Sequence, residues 1–143
     1  MTKKLDHIGI VVKDLNEAVS LYGKILGLTS WKQGVIDDSK NGVRLLSLPI
    51  GDTFIELLQP TKPGNRYSRF LAEKGGGLFH LCVFVDNYDQ EVRNLKEKGV
   101  ALEEEMSHAN FRLAWVPPES PSGVWVELVD MLAIPKELLH HNF

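Results

Sequence analysis

Four side chains recur at matched places along this chain: His7, Glu56, His80 and Glu127. The histidines lie in the apolar runs Leu5-Asp6-His7-Ile8 and Leu78-Phe79-His80-Leu81, and the glutamates in Ile55-Glu56-Leu57-Leu58 and Val126-Glu127-Leu128-Val129. His7 precedes Glu56 by 49 positions and His80 precedes Glu127 by 47. A carboxylate inside a run that seeks burial is costly unless it is paired, protonated or beside a cation. Two neutral imidazoles and two carboxylates form a mixed nitrogen and oxygen donor set. Such a set suits one divalent ion (Co, Zn, Ni, Mn or Fe) and leaves positions for water or substrate. The ion would hold each buried carboxylate in its charged form. A single strand histidine is more often a satisfied core residue, and a single strand glutamate more often faces solvent. It is the paired recurrence that selects these four. His108, His140 and His141 have no repeat partner and read as loop and tail residues. Cys82 shares a strand face with His80 and reads as inert apolar packing.

Two copies of one supersecondary unit must position these groups. Leu5 to Val12 reads as a buried strand, and Asp14 caps an amphipathic helix whose apolar positions are Leu15, Val19, Tyr22 and Leu26, closed by Gly27. Strands are expected around Thr29 to Gln33, at Val43 to Leu48 and at Thr53 to Leu58, with a turn at Asn41-Gly42. Residues 61–77 read as a connector with a short helix around Ser68 to Lys74 and three closing glycines. The pattern then restarts. Leu78 to Val85 reads as a strand, a helix opens at Asp86, and a short strand spans Val100 to Leu102. An acidic loop follows, and Phe111 to Val116 and Gly123 to Val129 close the series. The expected fold is α+β: a single domain, residues 1–143, of two strand-helix-three-strand modules at 3–60 and 78–130, with a short helix in the tail 131–143. Because the first strand's isoleucines, Ile8 and Ile10, should meet the helix, His7 should point to the opposite face.

Composition bounds the rest. At 43% hydrophobic and 24% charged residues the chain reads as an ordinary soluble domain. Its apolar runs are too short to cross a bilayer, and no signal-peptide core follows the N-terminal lysines. One cysteine excludes an internal disulfide framework and fits a reducing cytoplasm. Residues 1–75 carry 11 Lys/Arg against 8 Asp/Glu, and residues 76–143 carry 5 against 11. A basic first half could favour an anionic ligand, but the asymmetry reads first as a solvated mixed surface, and it is no nucleic-acid footprint.

The LDHIGI opening, the IELL strand, the glycine-introduced L-x-H strand and the GVWVEL ending together resemble the vicinal oxygen chelate superfamily, which includes glyoxalases, bleomycin resistance proteins and dioxygenases. Within it the likeness is greatest to the methylmalonyl-CoA epimerases. The resemblance implies a cupped half-barrel of tandem βαβββ modules around a metal held by His7, Glu56, His80 and Glu127, usually in a homodimer. It also implies proton abstraction alpha to the thioester of an acyl-CoA through a metal-stabilised enolate, with Glu127 doubling as the base. A glyoxalase I-like lyase is the alternative. A ring-cleaving dioxygenase needs only His7, His80 and Glu127, which leaves Glu56 superfluous, and a metal-free binding protein needs none of the four. One departure bears on the reaction: where these epimerases carry a further, non-ligand glutamate, this chain has Leu45.

Overall fold

The computed structural model of the protein describes residues 2–107, 110–120 and 122–134. The strand-helix-three-strand plan occurs twice. The first copy runs β1 (Lys3–Val11), α1 (Leu15–Leu26), β2 (Ile36–Asp38), β3 (Val43–Ile50) and β4 (Thr53–Pro60). After α2 (Arg66–Lys74) the second copy runs β5 (Gly77–Val85), α3 (Tyr88–Glu97), β6 (Glu103–Met106), β7 (Arg112–Val116) and β8 (Trp125–Asp130), followed by a 3-10 turn at Met131–Ala133. The architecture is α+β, as expected. His108 lies outside the described residues, as do His140, His141 and the rest of the tail beyond residue 134.

Among the described residues the contacts fall into two compact units, one formed by residues 8–79 and the other by residues 2–7 and 80–134. In the unit of residues 8–79 the strands are ordered β2-β3-β4-β1. β3 and β4 pair antiparallel from Val43–Pro60 to Ile50–Thr53, and the backbone N–H of Val12 donates to Leu58 O at 2.9 Å. One sheet face packs on α1: Leu46, Leu48, Ile55 and Leu57 bury against Leu15 and Ala18, joined by Ile8, Ile10 and Val12. The isoleucine side of β1 therefore does meet the helix. Burying each such aliphatic side chain contributes roughly 1.5–3 kcal/mol. Asp14 caps α1 by accepting from the Glu17 N–H, and Gly27 ends it in the left-handed conformation at φ 68°. Leu15 N–H donates to Gln59 Oε1 at 2.8 Å, which ties the start of the helix to β4.

Two expectations in this unit change. Thr29 to Gln33 is not a strand; Gly34 closes a turn by donating to Trp31 O, and the Trp31 ring packs on Phe54 at 4.9 Å. The partner of β3 is Ile36–Asp38, reached through the Asn41-Gly42 turn. At the glycine run, Gly76 (φ 100°) lies so close to Val11 O that a Cβ would sit 2.8 Å from it. A side chain is thus excluded by both backbone conformation and space.

In the unit of residues 2–7 and 80–134 the order is β1-β5-β8-β7-β6. β5 runs parallel to β8, with His80 opposite Trp125 and Cys82 opposite Glu127, and β7 runs antiparallel to β8 with Trp115 opposite Glu127. The other face of this sheet packs Val85, Ala114 and Leu128 against Tyr88 and Val92 of α3. Asp86 does not cap α3. Asn87 does, accepting from the Gln90 N–H, while the Asp86 carboxylate accepts from the Thr2 N–H at 3.0 Å with both oxygens. The short strand is not Val100 to Leu102 but the acidic run Glu103–Met106, whose carboxylates find partners along this sheet edge. Tyr88 O–H and Lys96 donate to Glu104, and the Trp115 indole N–H donates to Glu105 at 2.8 Å.

Candidate metal centre

His7, His80 and Glu127 share one unit and one sheet face. On β5 the alternation sends Leu81, Val83 and Val85 away from this face and leaves His80, Cys82 and Phe84 on it. The pairing of β5 with β8 sets Trp125, Glu127 and Val129 beside them in the same order. His7 and His80 are both buried, and their Nε2 atoms lie 3.1 Å apart with the rings crossed at 86°. Glu127 Oε1 is 4.0 Å from His7 Nε2, and its side chain keeps 14% exposure. Glu56 belongs to the other unit. There it stands partly exposed in the middle of β4, opposite buried Ser47 on β3, between Ile55 and Leu57, which point to the α1 side.

Two of the groups around the His7–His80 pair were not singled out by the repeat. Asp6 Oδ2 lies 2.8 Å from His7 Nδ1, and both side chains are buried. Asp6 has no counterpart in the second copy, where Phe79 precedes His80, so a search for paired residues passes over it. Its own signal is the one that marks the glutamates, a carboxylate inside an apolar strand. Trp115 is the second. Fully buried, its ring meets His80 at 5.1 Å and Trp125 at 6.0 Å. Cys82 is completely buried, as its apolar setting implies, and burial pushes its thiol pKa well above the usual value. Its Sγ, an Asp6 carboxylate oxygen and a His7 ring nitrogen fall within 4.8 Å of one another.

The donor set fits a divalent ion. Imidazole and carboxylate bonds to such ions are about 2.0–2.2 Å long, so two donors on one ion are separated by at most about 4.2 Å, and by about 3.0–3.4 Å for right to tetrahedral angles. The 3.1 Å His7–His80 separation falls in the right-to-tetrahedral range, and the 4.0 Å His7–Glu127 separation falls only under the upper limit, so Glu127 would have to approach the ion more closely. The Asp6 contact on Nδ1 supplies the outer carboxylate that metal-bound histidines commonly have.

Comparison with known proteins adds to this geometry. The family described as the glyoxalase/bleomycin resistance protein/dioxygenase superfamily matches residues 6–115. The mitochondrial methylmalonyl-CoA epimerase of Homo sapiens is 33% identical over 87% of this chain and 72% of its own. The crystal structure of methylmalonyl-CoA epimerase from Mycobacterium tuberculosis superposes with a TM-score of 0.77 at 30% identity, covering 94% of this chain and 90% of that one. A methylmalonyl-CoA epimerase in complex with methylmalonyl-CoA and NH4+ superposes with a TM-score of 0.79 at 26% identity, over 94% of this chain and 100% of that chain.

Proposed function

Because this chain belongs to the glyoxalase/bleomycin resistance protein/dioxygenase superfamily and is an enzyme of it, we propose that it is a divalent-metal-dependent epimerase or isomerase acting on an acyl-CoA thioester of the methylmalonyl-CoA type. The observation that carries this reading is the convergence of His7, His80 and Glu127 on one face, in a chain several of whose relatives are named methylmalonyl-CoA epimerases. Glu56 completes the ligand set through the repeat register, since it holds in β4 the place Glu127 holds in β8. The ion, when bound, supplies positive charge beside the oxygen on which negative charge develops as the C–H bond breaks.

The chain's own residues do the rest. Glu127 removes the proton alpha to the thioester carbonyl, since it is the carboxylate among the three and the most exposed of them. Trp115 packs edge-on against the imidazole of His80 and is itself backed by Trp125, which gives that side of the site an apolar wall. Leu45, buried on β3 opposite Leu58, offers no proton for the return step. Return from Glu127 to the same face restores the starting configuration, so inversion requires a proton delivered by water from the opposite face, and exchange with solvent outpaces inversion. The homodimeric state and a reducing cytoplasmic location complete the proposal; a single, buried cysteine supports the latter.

The test is metal analysis of the purified protein, followed by deuterium uptake into methylmalonyl-CoA in heavy water. Bound metal with uptake at the alpha carbon is the expected result. No exchange on any acyl-CoA, together with turnover of the glutathione adduct of a 2-oxoaldehyde, would move the protein to the lyase branch.

A further inference from the structure

We infer that Asp6 is a positioning residue for His7, holding the Nδ1 proton of the imidazole so that Nε2 presents its lone pair on the face shared with His80. The inference rests on the proposed metal site only for its consequence, not for its geometry.

Asp6 Oδ2 stands 2.8 Å from His7 Nδ1. An ionised carboxylate only accepts hydrogen bonds, and a neutral imidazole has one nitrogen that donates and one that accepts. If Nδ1 carried the lone pair, two acceptors would face each other at 2.8 Å in a buried place, an arrangement that costs the desolvation of both. The proton therefore sits on Nδ1. Nε2 is then the accepting nitrogen, and it is the atom 3.1 Å from His80 Nε2 and 4.0 Å from Glu127 Oε1. Regular alternation would send Asp6 and His7 to opposite sides of β1, yet the carboxylate reaches the neighbouring ring, with Asp6 4% and His7 7% exposed. The contact of this buried carboxylate with His7 fixes the tautomer, as an outer carboxylate does for a ligating histidine.

Two readouts test this, one of them free of metal and of turnover. In the metal-free protein, long-range 1H–15N correlation of the ring assigned to His7 should show the Nδ1–H tautomer. Asp6→Leu should lose that single-tautomer pattern. Asp6→Asn, whose amide oxygen accepts the same hydrogen bond, should retain it. Affinity for Co2+, followed by its visible absorption, should fall about 10- to 100-fold in Asp6→Leu and by less in Asp6→Asn. A Leu variant that keeps the wild-type tautomer overturns the inference, as does an unchanged Co2+ affinity in both folded variants. Should wild type bind no Co2+ at all, the functional proposal fails, and the tautomer measurement alone still decides the role of Asp6. If Asp6→Leu does not fold, Asp6→Ala takes its place in the same two measurements.

Discussion

Glu127 is asked for two things that compete. As a ligand it gives up electron density to an ion, and as a base it needs that density to take a proton. In the proposed mechanism it would serve as both, with a side chain that keeps 14% exposure beside His7. Glu127→Gln keeps a ligand oxygen and removes the base, so alpha-deuterium exchange should fall by about 10²–10⁴-fold, while metal content, read by elemental analysis, falls far less. Equal losses of both would reduce Glu127 to a ligand. The four proposed ligands were legible in the sequence because each has a counterpart in the other copy of the repeat. Asp6 and Trp115 were not, because neither has one. Asp6 was further hidden by strand alternation, which predicts that neighbours face apart and does not foresee a side chain that bends back to the adjacent ring.

At the scale of elements, apolar periodicity located β1, α1, β3, β4, β5, α3, β7 and β8 to within a few residues. It failed where a strand is built from residues that dislike strands. Glu103–Met106 pairs with β7 because Tyr88, Lys96 and Trp115 supply donors to its carboxylates, a compensation that exists only after folding. The start of α3 failed for a similar reason. Asp86 and Asn87 are both good caps by composition, and the Thr2 N–H, distant in sequence, claims Asp86. That contact has a pH signature. The Thr2 backbone N–H holds the Asp86 carboxyl below its ordinary pKa. A depressed folded-state pKa stabilises the fold above the unfolded carboxylate range and loses that contribution as pH falls through the folded value. Thermal unfolding of Asp86→Asn should therefore sit below wild type at neutral pH and converge with it at pH well under 4. A gap that persists in acid would assign the difference to packing instead.

At the scale of the whole chain, each unit carries its own buried cluster beside its own helix, which is what two copies of one supersecondary unit require. Among the described residues no helix is long and apolar enough to cross a membrane. With an ion bound only by the folded protein, stability becomes linked to metal. At an ion concentration 100 times Kd the gain is about 2.7 kcal/mol, so a chelator should lower Tm by about 5–10 °C. A metal-free midpoint equal to the metal-loaded one would argue against the ligand set. The edge-on contacts of Trp115 with His80 and of Trp125 with Trp115 have an optical consequence as well. Two of the three tryptophans lie in this edge-on series, and the imidazole 5.1 Å from Trp115 is close enough for the state of its ring to alter indole emission. The protein thus carries its own fluorescent gauge of the site. Adding a divalent ion should change the emission intensity, and Trp115→Phe should remove most of that change while Trp31→Phe leaves it in place.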